Sequence, residues 1–190
     1  MKEYFNDIEF KVKDNLKLKS NLKNYFESDG FIAVENEKDQ LLFIKKSTLL
    51  DGWKLNILNW EAKINIEVKQ KDNVVIHHNV KTKGFGFITP VAFSRLFEKY
   101  LYHLESYINN NECYKSKNIE LIKLGKIKML KYIALLILLG IFTGLCLGDI
   151  LENMTGIELL GYLGIIIGFK STEMMINKYL IKKNTLQHSV

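Results

Sequence analysis

Along the first 110 residues the apolar positions follow two alternating periods. Ile8, Phe10 and Val12 alternate with polar neighbours across 7–13, the pattern of a half-buried strand. Leu18, Leu22, Tyr25 and Phe26 share one side of a helix over 15–28, and Gly30 offers it a left-handed stop. Segments 31–37 and 40–46 read as strands joined by a tight turn. Ala62, Ile64, Ile66 and Val68 alternate, as do Val74, Ile76, His78 and Val80, with Lys71-Asp72-Asn73 as the turn of a hairpin. Phe85, Phe87 and Thr89 continue as a last strand, loosened by Gly84 and Gly86. Thr89-Pro90 supplies an N-cap and a proline at the first helical position. The helix that follows runs to about Ile108 and turns Phe93, Leu96, Phe97, Tyr100, Leu104, Tyr107 and Ile108 to one side.

This order, β-α-β4/5-α, predicts an α+β domain over 1–112: a small antiparallel sheet with its helices on one face. A stretch of that length is enough for one small core, so it is expected to fold alone as a soluble monomer. Asn109-Asn110-Asn111 ends the pattern as a short hinge. The element order is similar to helix-grip ligand-binding folds, in which a curved sheet surrounds a long C-terminal helix. That similarity implies a sheet–helix pocket for a lipophilic ligand, beside Phe93, Phe97 and Tyr100.

From there the chain becomes basic and then apolar. Residues 113–131 read as a lysine-studded juxtamembrane helix leading into a first transmembrane helix at 132–151. Twelve of the twenty residues in 132–151 are Leu, Ile or Phe, and Asp149 is the one charge. Such a segment spans about 30 Å as a helix, and a soluble core helix of that length would keep a polar stripe. A short loop at 152–156 precedes a second span within 157–181, which extends past the hydrocarbon, and a tail at 182–190. The second span needs Glu158 in the outer headgroups and Lys170 snorkelling inward. The whole reads as an α+β domain followed by a C-terminal two-helix transmembrane hairpin.

Composition sharpens this picture. A chain of 190 residues with 47% hydrophobic and 25% charged side chains is not generally disordered. One Pro and two Cys exclude Pro-rich and disulfide-scaffold classes. The net charge of +6 is uneven: 1–112 has 17 basic and 16 acidic residues, 113–131 has six and one, and 132–190 has four of each. The basic excess therefore lies in the flank of the apolar region and not on the folded part, which argues against nucleic-acid binding. Lysines flank both spans while residues 149–156 hold two acids and no base, so the positive-inside rule expects both termini in the cytoplasm of a multi-pass cell-membrane protein. The opening Met-Lys-Glu-Tyr-Phe-Asn-Asp lacks the apolar core of a cleavable signal. Lys115, Lys117, Lys123, Lys126, Lys128 and Lys131 are expected to attract anionic lipid.

Candidate chemistry is sparse. Adjacent strand residues His77 and His78 point to opposite faces and cannot readily share a metal. Gly84-Phe-Gly86 lacks the third glycine and lysine of a phosphate loop. No catalytic, cofactor-binding or metal-ligating residue is assigned. The distinctive local feature is the segment 53–60, with Trp53, Leu55, Ile57 and Trp60: either a turn of helix plugging the sheet, or a loop meeting a partner or the bilayer interface. Gly140, Gly144 and Gly148 form a smooth stripe on the first span, matched by Gly164 and Gly168 on the second. These are helix-packing faces, either within one hairpin or between copies in a homo-oligomer. The sequence thus points to a non-catalytic adaptor or sensor tethered at the inner membrane face. A lipophilic-ligand carrier and an oligomerising membrane effector are the alternatives.

Overall fold

A computed structural model describes residues 3–13, 17–35, 40–48, 51, 55–69, 72–82 and 90–186. In chain order the elements are β1 (Glu3–Lys11), α1 (Leu18–Ser28), β2 (Ile32–Glu35), β3 (Gln40–Lys45), β4 (Glu61–Lys69), β5 (Asn73–Lys81), α2 (Ser94–Asn110), α3 (Tyr114–Thr155) and α4 (Glu158–Leu186). They form two compact units, Met1–Lys126 and Ile127–Val190.

The first unit is α+β. Its five strands form one antiparallel sheet in the order β1-β5-β4-β3-β2. Phe43 pairs with Ile64 and Ile64 with His78, so these three side chains share a face. Phe26 of α1 lies 4.6 Å from Phe43, and Phe97 of α2 stacks on His78 at 5.5 Å. Both helices therefore cover that one face. The core between them holds Leu22, Tyr25, Phe26, Phe43, Ile64, Ile76, Phe93 and Tyr100, each fully buried. On the opposite face His77 meets Asp7 at 2.8 Å, and the β2–β3 edge presents Ile32, Val34, Leu42 and Ile44. At the end of α1 the amide of Phe31 reaches back to the Phe26 carbonyl at 3.0 Å, while Gly30 takes φ +83°. A side chain there would be strained, which is why this helix stops where glycine stands.

Several boundaries differ from expectation: β1 ends at Lys11, α1 starts at Leu18, and α3 runs to Thr155 through most of the expected loop at 152–156. β1 begins at Glu3, because Tyr4 extends the buried alternation toward the N-terminus and pairs with Val80. Pro90–Phe93 is a turn of 3-10 helix, and the α-helix proper starts at Ser94. The expected strand at 85–89 and the Thr89 cap lie outside the described residues.

The second unit comprises the rest of α3 and α4. Their glycines face each other: a Cβ on Gly164 would lie 2.8 Å from the Gly148 Cα, and one on Gly168 would lie 2.7 Å from the Gly144 Cα. Gly144 and Gly148 likewise oppose the carbonyls of Ile165 and Gly161, and Gly140 opposes the Phe169 ring. The Thr143 and Thr172 hydroxyls meet at 2.7 Å between the helices. Leu138, Phe142, Leu159 and Ile166 are 65–69% exposed on the outside. Both helices are long and apolar enough to cross a membrane, by length and composition.

The glycine stripes are therefore used within one chain. Gly164→Val puts β-branched bulk against backbone that cannot yield, so the two helices must separate. In membranes, this variant should lose the protease resistance of α4 without a change in oligomer state. Unchanged resistance would mean that the close approach contributes nothing.

Candidate functional site

Asn118 lies on α3, four residues after its start, and is 3% exposed. Its amide nitrogen donates to Asp29 Oδ2 at 3.1 Å. Its Oδ1 lies 2.9 Å from His103 Nδ1 and 3.4 Å from the Tyr25 hydroxyl, whose proton goes to the Tyr100 carbonyl. With the amide nitrogen committed to Asp29, Oδ1 is the acceptor, so His103 carries its proton on Nδ1. One side chain thus ties α3 to α1 and α2.

Aromatic rings close around this point. Tyr25 lies 5.0 Å from Tyr100 and 4.6 Å from Tyr114, and Tyr107 lies 4.8 Å from Tyr114. The Tyr25 hydroxyl donates to the Tyr100 carbonyl at 2.5 Å, and the Tyr114 hydroxyl to Ser28 Oγ at 3.2 Å. Lys45 donates to the Asp29 carbonyl at 2.5 Å and sits 5.4 Å over the Phe31 ring. Burial raises the Asp29 carboxyl above its ordinary value, opposed by the Tyr100 hydroxyl, Lys45 and Asn118. Burial likewise pushes the Tyr25 and Tyr100 phenols well up. These groups bond chiefly to one another, which makes the cluster an anchor for a helix.

A second polar group sits under α2. His78 is 2% exposed, and neither ring nitrogen has a hydrogen-bond partner among the described residues. Phe97 stacks on it, and Tyr4 meets it edge-on at 5.7 Å. Burial lowers its pKa to about 4, with Asp7 raising it and His77 lowering it. The Tyr4 hydroxyl is also buried and without a partner among the described residues. Nearby Glu98, 9% exposed, accepts from Asn6 at 2.8 Å.

The residues singled out from sequence fall in several places. Ile57 is 1% and Trp60 4% exposed: Ile57 belongs to a 3-10 turn, and Trp60 meets Phe93 edge-on. Both are core, which matches the plugging turn of helix and removes them from a partner-facing loop. The cause is their apolar surface, which closes the space beside α2. Leu55 is half-buried with φ +50°, and Trp53 lies outside the described residues. Lys115, Lys123, Lys126 and Lys131 are exposed, Lys128 is half-buried, and Lys117 pairs with Glu112. Cys113 precedes α3, and the backbone amides of Ser116 and Lys115 lower its thiol pKa. His77 and His78 do face opposite sides of the sheet. Among the described residues no group of three His, Cys, Asp or Glu side chains is placed to hold a metal.

From sequence, 113–131 reads as a lysine-studded juxtamembrane helix, and its lysines hide the anchor. Its signal was nevertheless present: Tyr114, Asn118, Leu121 and Gly125 recur at helical spacing, and Tyr114, Asn118 and Leu121 are each at most 9% exposed. Gly125 faces Ile57 and Leu96. The compact unit accordingly runs to Lys126 and not to residue 112.

No protein-family model, curated protein or solved structure matches the chain, so its similarity to helix-grip folds rests on element order alone.

Proposed function

We propose that this chain is a two-span membrane protein whose α+β unit faces the cytoplasm and acts by binding, as an adaptor or sensor, without catalysis. The observation that carries the reading is the double membership of α3. Its first turns complete the core of the α+β unit through Tyr114, Asn118 and Leu121, and the same helix continues into an apolar stretch. An event at the folded unit is then delivered to the membrane segment through one element. The exposed Leu138, Phe142 and Ile166 suit a lipid surrounding, because a water-soluble hairpin would leave a large apolar patch uncovered. The lysine-free stretch 149–156, where α3 ends and turns toward α4, supports its placement outside. Phe93, Phe97 and Tyr100 are already occupied by ring contacts with Trp60, His78 and Tyr25, which favours the adaptor over the carrier. The engaged glycine faces leave oligomerisation to other surfaces.

The test is topology in intact cells. The protein should resist alkaline carbonate extraction. In a Cys146→Ala background, Asn153→Cys should react with an impermeant maleimide, and Ser189→Cys should not. Labelling at both sites, or release by carbonate, overturns the reading.

A further inference from the structure

We infer that the solvent side of the first turns of α3 is a docking face for an anionic bilayer surface, resting on the membrane-tethered reading above. At 100° per residue, Ile122, Lys115, Lys126, Ile119 and Lys123 fall within an arc of about 100°. They lie away from the stripe of Tyr114, Asn118, Leu121 and Gly125 that meets the folded unit. Ile119 is 55% exposed, Ile122 is half-buried, and the three lysines are exposed. Two isoleucines set among three lysines make an interfacial face: aliphatic side chains enter the headgroup–acyl boundary while ammonium groups meet phosphates.

Charge and position select the partner. The arc carries three positive charges and no acid. It precedes, on the same helix, the apolar stretch that opens at Tyr132. A surface so tethered meets lipid headgroups at far higher effective concentration than it meets any soluble acidic partner.

The full chain would be placed in nanodiscs of phosphatidylcholine alone or with 30% phosphatidylglycerol, and its incorporation measured first. Ile119→Cys, in a Cys113→Ser, Cys146→Ala background, would carry an environment-sensitive fluorophore. Leu124→Cys, on another side of the helix, serves as the control. Docking predicts a blue-shifted emission at 119 in anionic discs only, with quenching by headgroup spin labels roughly twofold above that in zwitterionic discs. The signal should fall at high salt and in the Lys115→Gln, Lys123→Gln, Lys126→Gln variant, while position 124 stays water-like. Identical water-like emission in both discs overturns the docking face, including the case in which this face serves a soluble partner. Failure to incorporate into discs overturns the tethered reading instead.

Discussion

A fragment ending at Glu112 should be unfolded or aggregated under conditions where a fragment ending at Lys126 is folded and monomeric. The shorter piece keeps every strand, α1 and α2, and its charge is balanced. It nevertheless lacks Tyr114, Asn118 and Leu121, which are 9%, 3% and 3% exposed in the intact unit. Burying a large apolar side chain contributes about 1.5–3 kcal/mol, and a small domain has only about 5–15 kcal/mol in total. Truncation also removes the hydrogen bonds that Asn118 makes to Asp29 and His103, each contributing about 0.5–1.5 kcal/mol. The two losses together approach the whole stability. Circular dichroism and gel filtration of the two fragments decide the matter, and equal melting temperatures would show that the start of α3 is a passenger. Within 1–126, Asn118→Leu isolates the polar part and should cost on the order of 2–4 kcal/mol.

The second large effect is on acid stability. His78 is held neutral: its pKa is lowered to about 4, chiefly by burial. In the unfolded chain it titrates near 6.5. The unfolded state therefore binds a proton that the native state refuses across this interval. Stability is fully present above pH 6.5 and falls as pH drops toward 4, by about 3 kcal/mol from this group. His78→Leu should abolish that component, so the wild type and variant diverge between pH 6.5 and 4 in urea titrations. At neutral pH the variant should be as stable as the wild type or more so, because two buried nitrogens without partners among the described residues are removed. The partly exposed His77, paired with Asp7 on the other face, supplies the control. Parallel pH profiles for wild type and His78→Leu would place the acid sensitivity elsewhere.

The central hairpin was the most legible part of the fold. Alternation over 62–68 and 74–80 predicts strands that the structure extends by one residue at each end, because each has a polar outer face and an apolar inner one. α1 was legible for the same reason, and Gly30 marked its stop. The site was far less so. Asn118 contacts Asp29 and Tyr25 across separations of 89 and 93 residues, and no local pattern announces such pairings. Lysines at 115, 117, 123 and 126 also masked the buried stripe, since they occupy the rest of the same helix. In the segment 53–60, two tryptophans leave a plugging turn of helix and a partner-facing loop both open. Only packing against Phe93 reveals that Trp60 is core.

The place of α3 in both compact units has a consequence for biosynthesis. A ribosome releases the strands and first two helices before it makes the residues that complete their core. The nascent α+β unit thus emerges with the aromatic bed around Tyr25 and Tyr107 uncovered. The missing turns arrive joined to the apolar segment that targeting machinery would engage. On the membrane-tethered reading, final folding and membrane delivery fall in the same interval of synthesis, and a chain stalled between them presents an aggregation-prone surface.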